Sequence, residues 1–180
     1  GRPSNYEANH EKVFAANEEF KISFRAPNAK IMVVDDNKVN LQVASELMKK
    51  FGFEPVLVDS GIEAVNRIEE NLIAYDVIFM DHMMPIMDGL EATQKIRAIQ
   101  TEYAQELPIV ALTANAIKGV ERQFKEAGMN DYISKPIHMK QLSDILERWI
   151  PISKQVRIMD GKEIAPPRSY FTNPMLKKEA

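Results

Sequence analysis

Five side chains in this sequence hold most of its capacity for chemistry. They are the adjacent carboxylates Asp35 and Asp36, a second acid at Asp81, the Thr113 hydroxyl and the Lys135 ammonium. Each stands at or just beyond the end of a short apolar run: Ile31 to Val34, Val77 to Met80, Ile109 to Leu112, and Tyr132-Ile133. If those runs lie side by side and point the same way, the five groups meet in one small space. Three close carboxylates repel one another and resist ionisation unless a cation sits among them. A hard divalent ion with oxygen ligands and several retained waters meets that need, which describes Mg²⁺. Such an ion would neutralise the cluster and align a phosphate oxygen, leaving one carboxylate free to attack phosphorus. A hydroxyl and an ammonium would then serve the equatorial oxygens. Phosphoryl transfer asks for little more, because positioning and charge stabilisation supply most of its catalysis.

The elements that must position these groups are visible as an alternation. The apolar runs, with Val56 to Val58 as a further one, are short and rich in Val and Ile, the pattern of strands covered on both faces. Between them lie segments of helical period. Asn37 is placed to cap the first, where Val39, Val43, Leu47 and Phe51 recur at four-residue spacing with Asn40, Ala44 and Met48 alongside; Gly52 terminates it. The second opens on Ser60 and Glu63 in a capping-box spacing and carries Val65, Ile68 and Leu72. A third follows Gly89 with Ile96 and Ile99 inward. A fourth uses Ile117, Val120, Phe124 and Ala127, and a fifth uses Leu142, Ile145, Leu146 and Trp149 before Pro151. Five strand–helix units in alternation predict an α/β fold, a doubly wound five-stranded parallel sheet with five helices. Open sheets of this kind carry their sites at the carboxyl ends of the strands, where the five groups stand.

The wording around those groups resembles the receiver domains of two-component signalling. The matching segments are Val33-Val34-Asp35-Asp36-Asn37, Met80-Asp81-His82-Met83-Met84-Pro85-Ile86-Met87-Asp88-Gly89, Leu112-Thr113-Ala114 and Ser134-Lys135-Pro136. One Asp-Asp pair would be weak evidence, but four motifs in order and at family-like spacing are specific. The resemblance implies a flavodoxin-like strand order 2-1-3-4-5. It implies Asp81 as phosphoacceptor, and Asp35, Asp36, Asp81 and the Met83 carbonyl around Mg²⁺. Thr113 and Lys135 would contact the phosphoryl group, Tyr132 would be the aromatic switch, and Lys135-Pro136 would be cis. The implied partner is a phosphohistidine-bearing helical domain of a histidine kinase or phosphotransfer protein, docking on the first helix and the loop after Lys135. Arg25-Ala26-Pro27 and Asp35-Asp36-Asn37-Lys38-Val39-Asn40, with Met84 to Gly89, further resemble receivers of hybrid sensor histidine kinases.

The domain organisation expected is an arm over 1–29, a receiver over 30–150 and a linker or tail over 151–180. The arm has a polar, helix-compatible stretch from Glu7 to Phe20, and Pro166-Pro167 and Pro174 mark the tail. Apolar residues form 45% of the chain and the net charge is −3, so nothing in composition asks for nucleic acid or an anionic membrane. There is no cysteine, and no apolar run approaches the roughly 20 residues that span a bilayer. The absence of an initiator Met suggests a piece of a longer protein. The reading is cytoplasmic, from a parent that a membrane anchor would still suit, and self-association stays open.

Milder readings stand beside these. Paired acids after a strand are often a helix cap with a solvated neighbour, but the company of Asp81, Thr113 and Lys135 argues otherwise. His82 is expected to pack or face a loop rather than bind metal. His10-Glu11 echoes a kinase phosphohistidine box whose remainder is missing, and no Gly-rich ATP site is present, so kinase catalysis is not assigned to this segment. The methionines near Met80 to Met87 are core and loop filling. Two alternatives remain from other classes. A Mg²⁺-dependent aspartyl-phosphate phosphatase would want Asp-x-Asp-x-Thr where Asp35-Asp36-Asn37-Lys38-Val39 stands. A scaffold receiver would bind partners without phosphorylation.

Overall fold

The computed structural model describes residues 4–164. Five strands form a parallel sheet: β2 (Ile31–Val34), β3 (Val56–Val58), β4 (Val77–Asp81), β5 (Ile109–Thr113) and β6 (Asp131–Ser134), in the order β3-β2-β4-β5-β6. Counted within this sheet, that is the order 2-1-3-4-5. Alternate side chains enter two separate cores. Ile31, Val33, Val77, Phe79, Val110, Leu112 and Ile133 face α2 (Lys38–Lys49) and α7 (Met139–Trp149). Met32, Val34, Ile78, Met80, Ile109 and Ala111 face α3 (Gly61–Glu70), α4 (Gly89–Ala98), α5 (Glu102–Glu106) and α6 (Val120–Ala127). Burial on both faces is why the central strands β2, β4 and β5 read as apolar runs.

Register decides which groups meet at the carboxyl edge. Val34 pairs with Val58 and Met80, Asp81 with Leu112, and Thr113 with Ser134. The strand ends are therefore level, and the chain leaves the sheet along one edge.

Several local expectations are revised. On α2 the buried face is Leu41, Ala44, Leu47 and Met48, while Val39 and Val43 are exposed. The four-residue apolar spacing traces a stripe that drifts off the core because the helix period is 3.6. Leu72 lies beyond α3, which stops at Asn71 in left-handed conformation (φ 52), and is exposed. Ser60 Oγ accepts from Glu63 N–H, but Glu63 reaches forward to Arg67 rather than back to the cap. Ile117 also lies outside its helix, because α6 begins only after Gly119 at φ 105. The short α5, capped by Thr101, had no periodic signal because five residues barely exceed one turn.

Beyond the sheet, α1 spans Asn5–Glu19 and is opened by a full capping box of Ser4 and Glu7. A second, antiparallel sheet joins β1 (Phe24–Arg25), β7 (Val156–Met159) and β8 (Lys162–Ile164) in the order β1-β7-β8. Phe24 is fully buried, with its ring 5.2 Å from that of Phe51 in the turn after α2. Ala26 N–H donates to Phe51 O. The Pro166-Pro167 and Pro174 stretch lies outside the described residues. No helix among the described residues is long and apolar enough to cross a membrane. Removing a buried aromatic ring leaves a cavity, so Phe24→Ala is expected to destabilise the domain by about 3–5 kcal/mol in urea unfolding. A change below about 1 kcal/mol would mean that β1 is an appendage rather than part of the core.

Candidate functional site

Asp35 leaves β2 with its backbone N–H still donating to Val58 O, and its side chain is buried. Asn37, which caps α2 through its own Oδ1, also turns its backbone N–H onto Asp35 Oδ1 at 2.9 Å. Asp81 is the last residue of β4 and is likewise buried, whereas Asp36 is exposed. One carboxylate oxygen from each of the three lies within 4.8 Å of the others.

Lys135 closes the group from the end of the edge strand β6. Its backbone N–H extends the β5–β6 ladder by donating to Thr113 O at 2.8 Å. Its ammonium donates to Asp35 Oδ2 at 2.8 Å and to Asp81 Oδ1 at 3.0 Å. The Lys135-Pro136 peptide is cis. Burial alone would lower the Lys135 ammonium, but its hydrogen bonds to the two carboxylates outweigh that and raise it. Burial pushes the Asp81 carboxyl up to about 6, against the opposing pull of Lys135 and with a further push from Asp35.

The remaining candidates stand nearby in different postures. Thr113 is buried, and its hydroxyl is engaged with the backbone of Asn115, donating to the carbonyl and accepting from the N–H. Met83 is exposed in the loop after Asp81. Tyr132 is turned to α6, donating its hydroxyl to Glu121 at 2.7 Å. His82 packs its ring edge-on against Phe124, with centroids 5.0 Å apart, and Phe124 also touches Tyr132. His82 is thus a packing residue, in keeping with its sequence reading.

Gly89, which opens α4, and Ile86 in the loop before it add constraints that motif reading alone does not supply. A Cβ at Gly89 would collide with the carbonyl oxygen of Asp81, so only glycine lets α4 begin this close to the acid. Ile86 sits at φ 69, a left-handed conformation that strains a β-branched residue. Its only sequence signal is its place between Pro85 and Asp88-Gly89, a turn-rich run.

The donor set fits a hard divalent cation. Three carboxylates gather beside one ammonium that bonds two of them, all the side-chain donors are oxygen, and the Asp36 carboxylate is exposed.

The family model described as the response regulator receiver domain matches residues 31–147. The chain belongs to that family. Over 129 residues the receiver is 43% identical to the sensor protein GacS of Pseudomonas syringae pv. syringae, a match covering 71% of this chain and 14% of that protein. It is 39% identical over 124 residues to hybrid signal transduction histidine kinase I of Dictyostelium discoideum, covering 67% and 7%. The chain thus spans only a small part of these relatives. Among solved structures, it is similar to the receiver domain of a sensor histidine kinase from Pseudomonas aeruginosa PAO1, which has a magnesium ion coordinated in its active site cleft. The TM-score is 0.60 and the identity 42%, over 67% of this chain and 96% of that one. It is also similar to a co-crystal structure of the Saccharomyces cerevisiae histidine phosphotransfer protein Ypd1 with the receiver domain of Ssk1. There the TM-score is 0.63 and the identity 28%, over 78% and 97%.

The raised Asp81 carboxyl gives the receiver a pH signature. Below about 6 the acid holds a proton that a divalent ion must displace. Apparent Mg²⁺ affinity, measured by calorimetry, is expected to be flat above pH 7 and to fall by about tenfold per unit below 6. A profile that stays flat to pH 4.5 would contradict the placement of Asp81 among the ligands.

Proposed function

We propose that this receiver accepts a phosphoryl group on Asp81 from a phosphohistidine carried by a helical partner domain, with Mg²⁺ as cofactor. The observation that carries the reading is the buried Asp81 carboxylate held against Lys135 and Asp35 at the level edge of the sheet. Asp35 and Asp36, with Asp81 and the Met83 carbonyl, are the groups that would hold the ion. When bound, it supplies charge neutralisation and orientation for the phosphoryl oxygens.

The chain's own residues supply the rest. A carboxylate oxygen of Asp81 attacks phosphorus as the bond to the histidine nitrogen breaks, and the imidazole leaves. Lys135 is already at the acceptor and needs only to shift its donor from carboxylate to phosphoryl oxygen. The Thr113 hydroxyl would exchange Asn115 for the phosphoryl group. That movement frees the space into which Tyr132 turns when it releases Glu121, altering the α6–β6 surface offered to partners.

Docking is supported by the surface beside the site. Val39 and Val43 on α2 are exposed apolar residues one turn apart, close to the loop that carries Asp35. A helical partner presenting an apolar stripe around its phosphohistidine would cover them. The hybrid-kinase wording, together with relatives named as sensor and hybrid kinases, supports an origin in a hybrid sensor histidine kinase. A cytoplasmic place for the receiver belongs to the same proposal. On that reading residues 30–150 are the receiver, and 1–29 and 151–180 connect it to the rest of its protein.

Beryllium fluoride with Mg²⁺ is expected to occupy the parent protein, read by its effect on Trp149 fluorescence or NMR shifts. Asp81→Asn should abolish that response while keeping the fold; an unchanged response would refute the acceptor assignment. Met83 offers no hydrogen bond to an attacking water. The acyl phosphate is therefore expected to outlive that of Met83→Asn by about tenfold, and a shorter parent lifetime would contradict this.

A further inference from the structure

The loop that carries Lys135 is anchored at its far end by a residue 120 positions earlier. Asn17, on α1, is buried, with 7% of its surface exposed. Its Nδ2 donates to Ile137 O at 2.9 Å and its Oδ1 accepts from Met139 N–H at 2.8 Å. The amide therefore clamps the backbone on either side of His138. His138 stands at the N-cap of α7 and makes no side-chain cap hydrogen bond, while Asn17 satisfies from outside one of the free N–H groups of the first turn, that of Met139. The clamp is itself held, because Lys50 Nζ donates to Asn17 O at 3.2 Å and pairs with Glu18 at 3.6 Å.

We propose that Asn17 is a positioning residue for phosphoryl transfer, holding the Lys135–Met139 loop so that the Lys135 ammonium stays on Asp35 and Asp81. This rests on the reading of Asp81 as the acceptor. The segment is short. It is fixed at one end by Lys135 N–H on Thr113 O and at the other by Asn17 on the buried residues Ile137 and Met139. Without Asn17, a buried N–H and a buried carbonyl lose their partners, and the loop must move to find water. Lys135 must reach both carboxylates at once, at 2.8 and 3.0 Å, so a displaced loop weakens that double contact. Because Asn17 belongs to α1, the helix preceding the receiver sheet is part of the site's support.

The test uses the full 180-residue chain with acetyl phosphate and Mg²⁺, tracking the phosphoryl adduct by intact mass. Asn17→Ala is expected to slow adduct formation by about tenfold. Asn17→Asp, which still accepts from Met139 N–H, should fall between the two. Should Asn17→Ala not fold, Asn17→Asp carries the comparison. In a Lys135→Ala background, changing Asn17 should add less than about twofold, because its effect passes through Lys135. A merely structural role would instead slow both backgrounds by the same factor, and that result overturns the proposal. A parent that forms the adduct, with Asn17 variants equally fast, overturns it alone. A parent that forms no adduct overturns the acceptor reading along with it.

Discussion

Two buried carboxylates on neighbouring strands, Asp35 and Asp81, share one ammonium. Among the described residues Lys135 is the cation bonded to both, at 2.8 and 3.0 Å. Charges out of water are tolerated only when paired and hydrogen-bonded, and this arrangement leaves the acids one positive charge short. With exposed Asp36 added, the deficit is two. Burial drives the Asp81 carboxyl upward despite Lys135, and the neighbouring Asp35 adds a smaller push in the same direction. A divalent cation is the kind of ligand that such a deficit recruits. The parallel register, which levels the ends of β2, β4 and β5, brings the acids together, and the β5–β6 ladder brings Lys135 to meet them.

Much of this was legible in the sequence. The apolar runs became the five strands because the three central ones are buried on both faces and the two edge strands in part. The acids, the threonine and the lysine could be grouped because parallel strands deliver their C-terminal residues to one edge. Helices were less clear where amphipathic spacing was ambiguous. Val39 and Val43 fit an apolar repeat as well as Leu41 and Ala44 do, and only packing separates the core face from the exposed one. Ile117 read as helical until the left-handed Gly119 broke the pattern. The β1-β7-β8 sheet was not legible, because its strands are two to four residues long and the β1–β7 pairing joins distant ends of the chain. Asn17 gave no signal, since a polar residue on a polar helix announces nothing about a partner 120 residues away.

The postures of Thr113 and Tyr132 frame the proposed switch. Both hydroxyls are occupied, one by Asn115 and the other by Glu121. A phosphoryl group on Asp81 would offer Thr113 a charged acceptor in place of a neutral carbonyl, and charge-assisted hydrogen bonds are the stronger kind. Tyr132 would then have a reason to leave Glu121. Phe124, touching both His82 and Tyr132, lies where such a rearrangement must be repacked. The equilibrium between the two postures would be biased by the site rather than created by it.

Chemical mapping of the phosphoryl position tests the central claim most directly. The protein is treated with acetyl phosphate and Mg²⁺, the acyl phosphate is reduced with borohydride, and the modified residue is located by peptide sequencing. The account predicts a single reduced carboxyl, at position 81, and none when Mg²⁺ is chelated. Modification at Asp35 or Asp36 instead, or an equal yield without the metal, would contradict it.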